Sequence, residues 1–382
     1  MVKHPKLVGR GPGWDSGVSS TGMTAKSYQF SFYGLRGFAA LSVVFFHLGH
    51  WLYVPTIGTN CGLAVDLFFC LSGYVVALSY GARSQPDLSL FDFLMIRSIR
   101  LGPLIVLATL ISGPYALLRL LLKHDDSAYC ELAEAFVFGA LTIPFFGASR
   151  SIGGPQVFPL NGPQYTLFFE LFVNLVWFAT RRLAQLPLAL GIASVSFVSL
   201  LYFGAGGGDT SGTFLDGFPR VGYSYFIGVV IYELQRKGLP YQLTHLLRWS
   251  FVPLFATMAA IFYTPTVAST QVWFLWVIVI SPLMVMSSAQ IDVPARLRKP
   301  CAWAGSLSYP IYALHYPIFC WINGTFRFFD YADLRIEIPL TVVSVVGLSA
   351  LANQFYDRPM RNLLTQRHAI SFSRTPVARP AD

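Results

Sequence analysis

Charge is scarce in this sequence. Asp, Glu, Lys and Arg supply 12% of 382 residues, about half the share usual in a soluble protein. Hydrophobic residues reach 54%, and mean hydropathy is +0.54, which excludes an ordinary soluble domain. The two-residue alternation of a membrane β-barrel is also missing. Helices remain, because each satisfies its own backbone hydrogen bonds in lipid. Cysteine is thin: Cys61, Cys70, Cys130, Cys301 and Cys320 show no CxxC or zinc spacing. They read as small buried hydrophobes, and no metal is expected. The first thirty residues carry Lys3, Lys6, Arg10 and Lys26 but lack the apolar stretch of a signal peptide. The expected anchor is therefore a set of uncleaved helices, with the N-terminus in the cytoplasm. Net charge is +9. It sits in loops and tails, where it sets orientation, and points to no nucleic acid.

What is present is a series of apolar runs. They begin near Tyr33, Gly62, Leu101, Gln164, Leu186, Phe214, Phe251, Val272, Ala304 and Ile336. A further run at 131–148 is short and interrupted by Gly139 and Pro144. Counting it as a span would move Arg181-Arg182, Arg236-Lys237 and the basic cluster at 296–299 outside, against the positive-inside rule. Leaving it out keeps these inside with Arg83, Arg97 and Arg100, and puts Asp125, Asp126, Glu131 and Glu134 outside. The sequence thus predicts an all-α, polytopic integral membrane protein with about ten transmembrane helices and both termini cytoplasmic. Residues 1–30 form a cytoplasmic tail, 31–362 the transmembrane domain and 363–382 a disordered cytoplasmic tail. Within the domain, 124–163 is an external loop or re-entrant segment. A connection of that length is usually functional.

An ionisable residue inside a span is a functional candidate. Arg36 and His47 lie eleven positions apart on the first helix. That spacing is three turns plus roughly 20°, so they share a face, about 16 Å apart along the axis. Arg36 falls near the cytoplasmic entrance and His47 past the midplane. Arg36 alone could snorkel and His47 could bond a neighbouring helix. Asp66 lies near the outer end of the second helix, where a helix N-terminus also favours it. Arg97 and Arg100 share a face at the cytoplasmic mouth of the third. They suit either anchoring or a phosphate clamp. Thr166, Glu170 and Asn174 form one polar stripe, and Ser308, Tyr312 and His315 another. Several such stripes argue for a polar cavity inside the bundle. This reading suits a transporter, or an enzyme that takes a phosphate-bearing donor from the cytoplasm and acts on an external acceptor.

The residues also resemble the acyltransferase-3 family of membrane O-acyltransferases, which modify sugars of exopolysaccharides, lipopolysaccharides, Nod factors and antibiotics. Six segments carry the resemblance in family order over 33–359. They are Leu35-Arg-Gly-Phe-Ala-Ala-Leu with His47, Val65-Asp-Leu-Phe-Phe-Cys-Leu-Ser-Gly73 and Phe93-Leu-Met-Ile-Arg-Ser-Ile-Arg-Leu-Gly-Pro103. Tyr165-Thr-Leu-Phe-Phe-Glu170, Ser308-Tyr-Pro-Ile-Tyr-Ala-Leu-His-Tyr-Pro317 and Tyr356-Asp-Arg-Pro359 follow. Tyr165 stands where Trp is usual, Asp357 where Glu is usual, and Met95-Ile96 where further arginines are common. These departures bear on acceptor choice more than on the reaction.

The resemblance implies acetyl-CoA, or another acyl-CoA, as donor and a glycan or lipid-linked saccharide as acceptor, in a plasma membrane of bacterial inner-membrane type. Arg97, Arg100 and Arg36 would receive the donor. His47 would act as general base on a sugar hydroxyl, or carry the acyl group covalently. Glu170 or Asp66 would orient it. Ser72, Tyr309, Tyr312 and His315 are the candidates for contacting substrate or the oxyanion. The alternative is a transporter or flippase for a lipid-linked sugar, without acyl chemistry.

Overall fold

Apolar runs in lipid fold as helices because an unpaired backbone group has no water to turn to. The computed structural model describes residues 28–374, apart from 55, 82–84, 205, 239–250, 267–268, 292 and 332. The helices are α1 (Tyr28–Trp51), α2 (Ala64–Tyr80), α3 (Leu90–Lys123), α4 (Tyr129–Ala140), α5 (Tyr165–Thr180), α6 (Gln185–Phe203) and α7 (Gly217–Arg236). Then come α8 (Phe251–Phe262), α9 (Thr270–Leu275), α10 (Ser281–Ser288), α11 (Ala295–Phe328), α12 (Leu334–Ala352) and α13 (Arg358–Arg374). Single π-helical turns, Trp276–Ile280 and Asn353–Asp357, join α9 to α10 and α12 to α13. Among the described residues there is no strand.

Six stretches are both long and apolar enough to cross a bilayer: Phe30–Trp51, Cys61–Tyr80, Leu90–Lys123, Gln185–Phe203, Thr270–Ser288 and Leu334–His368. The chain is an all-helical, multi-pass membrane protein. A helix also lies at each of the other four expected runs, but these fall short in different ways. α5 has 16 residues and the described α8 has 12. α7 and α11 are long enough, with 20 and 34 residues, but their polar side chains dilute the apolar signal.

The doubtful run at 131–148 holds only the 12-residue α4, about 18 Å long, too short to span. Its Leu132 and Ala135 cluster with Leu120 of α3 and with Phe145 of the segment that follows. At the other end, helix α13 runs to Arg374, into the expected C-terminal tail. Arg361 forms an ion pair with Asp357 at 2.6 Å one turn back, and His368 lies 3.5 Å from Asp92 of α3. Residues 1–27 of the expected N-terminal tail, Arg83 and 375–382 lie outside the described residues. The cysteines also divide: Cys61, Cys70 and Cys301 are buried, but Cys130 is exposed and Cys320 half-buried.

Two close helix contacts position the site, both built on glycine. On α1, a Cβ at Gly37 would come 2.5 Å from the Ala304 Cβ of α11. On α11, a Cβ at Gly305 would come 2.5 Å from the Tyr33 Cβ of α1. Between α2 and α7, a Cβ at Gly73 would strike the Tyr225 carbonyl oxygen, and one at Gly228 that of Cys70. The first contact carries Arg36 and His47 against α11; the second brings Asp66 against α7.

The segment 141–164 folds back over one end of the bundle. The Val157 N–H donates to the Asp209 carbonyl at 2.9 Å and the Ser211 N–H to that of Pro155 at 2.9 Å, around an isolated bridge between Gln156 and Thr210. Asn161 ties this segment to α11. Its Nδ2 donates to the Ala313 carbonyl at 3.2 Å. That carbonyl needs a partner, because the residue four positions on is Pro317, which has no N–H.

Candidate active site

Two cavities lie among the helices. The first is lined by Arg36 of α1, Ser72 of α2, Arg97 and Arg100 of α3, Glu170 of α5 and Tyr309 of α11. It is narrow, about 70 Å³, and its charge is unbalanced: three guanidiniums line it with one carboxylate. Arg97 is 1% exposed, and its Nη2 donates to Glu170 Oε1 at 2.7 Å. Ser72 Oγ donates to the same oxygen at 2.8 Å. The remaining buried donors, Arg97 Nε and Nη1 and Arg36 Nε, have no hydrogen-bond partner among the described residues. Buried donors of this kind are nearly always satisfied. Such an arrangement can accept an anion.

The second cavity is larger, about 390 Å³, and includes His47, Trp51, Gln156, Tyr165, Arg220 and Tyr316. Val65 and Tyr312 line both cavities, so the two chambers abut across these side chains. Arg36 opens to one chamber and His47 to the other, as their shared face and axial separation predict. Aromatic rings and hydrogen-bonding groups interleave around the second chamber, a lining that suits a polar, uncharged ligand.

His47 does not meet either expected carboxylate. Its ring partner is His315 of α11: His315 Nε2 lies 3.1 Å from His47 Nδ1. His47 Nδ1 is also 3.1 Å from the Val43 carbonyl. Trp51, one turn on from His47, stacks on its ring at 4.7 Å between centroids and on that of His315 at 5.8 Å.

The expected orienting residues are engaged elsewhere. Glu170 faces the basic chamber. Asp66 is fully buried and grips Arg220 of α7, with Nε to Oδ1 at 3.0 Å and Nη2 to Oδ2 at 2.9 Å. The reason is charge: a buried carboxylate seeks a cation rather than a neutral imidazole. Tyr309 donates to the Leu101 carbonyl, so its hydroxyl holds α11 to α3. Tyr312 bonds Thr166 Oγ1 at 2.6 Å at the meeting of the chambers.

Arg220 and Trp51 are the site residues that the sequence reading passed over. Both had a signal. Arg220 is an arginine within an apolar run, the criterion that singled out Arg36. Trp51 sits four positions after His47, on the same helical face.

A family described as an acyltransferase domain matches residues 30–353. The chain is 35% identical over 180 residues to protein 2 in the picA locus of Rhizobium radiobacter, covering 42% of this chain and 88% of that one. It is 25% identical to a putative peptidoglycan O-acetyltransferase, YrhL, of Bacillus subtilis (strain 168), over 86% of this chain and 54% of the relative. It is 21% identical to the O-acetyltransferase OatA of Staphylococcus aureus (strain NCTC 8325 / PS 47), over 86% and 56%. The chain thus spans about half the length of these two O-acetyltransferases. No solved structure matches it. With the family's match running from α1 through α12, the chain belongs to the acyltransferase-3 family of membrane O-acyltransferases.

Proposed function

We propose that this protein moves an acetyl or other short acyl group from acyl-CoA, bound on the cytoplasmic side, to a sugar hydroxyl of a glycan or lipid-linked saccharide on the outer side of the plasma membrane. The observation that carries this reading is the pair of abutting chambers, one with unsatisfied guanidinium donors and the other with an imidazole. Phosphate is the anion for which clustered arginines are suited. Arg36, Arg97 and Arg100 bind the phosphates of the donor, and the acyl end points towards Val65 and Tyr312. The saccharide occupies the histidine chamber. His47 takes the proton from the attacking hydroxyl, the new C–O bond forms at the thioester carbonyl, and the C–S bond breaks to release CoA as thiol or thiolate. The Tyr312 hydroxyl is the group placed nearest the meeting point to steady the oxyanion.

Sidedness follows from the loop charges. Ten crossings, with both termini inside, keep Arg181-Arg182, Arg236-Lys237 and 296–299 in the cytoplasm. They also put the basic chamber on the donor's side. Peptidoglycan, named for the YrhL relative, is one acceptor of the required class. A flippase without acyl chemistry is the rival, but it gives no use to an imidazole in the chamber that abuts the basic one.

The test uses the full chain in nanodiscs with radiolabelled acetyl-CoA and saccharide fractions from the parent cells. CoA release that depends on acceptor, together with acetylated product, is expected. His47→Ala should lower turnover by about 10²- to 10⁴-fold with donor binding unchanged. Wild-type acetylation by His47→Ala, or no acceptor-dependent release by the wild type, would overturn the proposal. Label trapped on the protein with acetyl-CoA alone would identify a covalent route through His47; its absence identifies direct transfer.

A further inference from the structure

We infer that His315 is a positioning residue: it fixes His47 as the Nδ1–H tautomer and thereby presents the His47 Nε2 lone pair to the acceptor chamber. The inference rests on the reading of His47 as the base, and adds what makes it one.

The argument begins at the far end of the chain of contacts. His315 is 1% exposed, so water does not complete its bonding. Its Nδ1 lies 2.8 Å from the Tyr312 carbonyl and 3.2 Å from that of Ile311. Carbonyl oxygens only accept, so this nitrogen carries the hydrogen. In a neutral imidazole the other nitrogen then accepts. That nitrogen, His315 Nε2, is 3.1 Å from His47 Nδ1. His47 Nδ1 is therefore the donor, sharing its hydrogen between His315 Nε2 and the Val43 carbonyl at 3.1 Å. In neutral His47 the second nitrogen, Nε2, has no hydrogen and can take a proton. The opposite assignment would aim lone pairs at three carbonyl oxygens, those of Tyr312, Ile311 and Val43, and leave His315 Nδ1 unsatisfied.

The surroundings hold this arrangement in place. Trp51 lies nearly parallel to both rings, at 19° to His47 and 17° to His315. Phe319 continues the stack at 4.6 Å from Trp51. The two helices that carry the imidazoles are locked by the Gly37 and Gly305 contacts. His315 does for His47 what a carboxylate does for the histidine of a hydrolytic triad, which is to set the tautomer and accept from the imidazolium that forms. Here the partner is neutral. A neutral partner suits a site in low dielectric, where a second buried charge would need its own counter-ion.

Three variants and one spectrum test this. His315→Leu removes the acceptor. Its kcat should fall about 100-fold or more, with the KM for acetyl-CoA unchanged. His315→Gln restores an acceptor near the position of Nε2, and should recover kcat to within about tenfold of wild type. His47→Ala should lose about 10²- to 10⁴-fold in kcat. Wild-type kcat for His315→Leu, or equal losses for Leu and Gln, would overturn the positioning role while leaving His47 as the base. Wild-type activity of His47→Ala would instead remove the reading on which the inference rests. Because a variant can fail to fold, the tautomer is also read in the wild type. Solid-state NMR of protein labelled with ¹⁵N-histidine should show His47 protonated at Nδ1 and bare at Nε2. The reverse pattern would overturn the inference without any substitution.

Discussion

Arg97 of α3 and Glu170 of α5 meet at 2.7 Å across 73 positions of sequence. The contact assigns Glu170 to the basic chamber and leaves His47 to a neutral partner. It also sets an asymmetry, since one carboxylate serves three guanidiniums.

Removal of Glu170 should be felt first in stability. Glu170→Ala strands a buried Arg97 and should cost about 3–5 kcal/mol, the usual loss when one partner of a buried pair is deleted. Thermal unfolding in detergent measures it. An unchanged melting temperature with lost turnover would place Glu170 on His47 after all.

Arg100 should be felt in donor binding. A hydrogen bond to a charged group contributes about 1.5–3 kcal/mol, so Arg100→Ala should raise the KM for acetyl-CoA by roughly 10- to 100-fold. The kcat should stay within a few-fold of wild type. Initial rates over a range of donor concentrations distinguish this from anchoring, which would leave KM alone.

Asp66 and Arg220 should behave as a unit. Asp66→Ala should lose about 3–5 kcal/mol, because Arg220 keeps its charge without a counter-ion. The double substitution Asp66→Leu with Arg220→Met should recover most of that loss. Melting temperatures of both variants check the coupling. Additive losses would mean that the two side chains act separately.

Asn161 should matter only because Pro317 is a proline. Asn161→Leu is expected to cost about 1 kcal/mol as the Ala313 carbonyl loses its donor. In a Pro317→Ala background the new N–H supplies that donor, so the cost should shrink. A double-mutant cycle on unfolding free energies measures the difference, and equal costs in both backgrounds would refute the link.

Much of the frame was legible in the sequence, because length, apolarity and helical period act locally. The ten runs all hold helices, and Arg36 and His47 share a face as eleven residues of helix require. The polar stripe at Thr166, Glu170 and Asn174 was also read correctly as facing inward. What could not be read was the partner of each member. Thr166 meets Tyr312, Glu170 meets Arg97, and Asn174 accepts from Tyr225 at 2.9 Å. Those partners sit on three different helices. Helical periodicity gives a residue's face but not which neighbour that face will meet. The same limit explains Asp66, whose partner Arg220 lies 154 positions away, and His47, whose partner His315 lies 268 away. The run of α13 past residue 362 was not legible because its composition is polar.

The close approach of α1 and α11 at Gly37 and Gly305 has a consequence for how this protein can vary. Beyond that clasp, α1 has ten residues to His47 and α11 has ten to His315. The two arms are equal in length. A single-residue insertion in either arm would advance its histidine by about 1.5 Å and swing it by about 100°, away from its counterpart. Substitutions in the arms change only what lines the walls, whereas a change of length uncouples the imidazoles. The distance from glycine to histidine is thus a matched pair of rulers, and should resist insertion and deletion even where the residues themselves are free to drift.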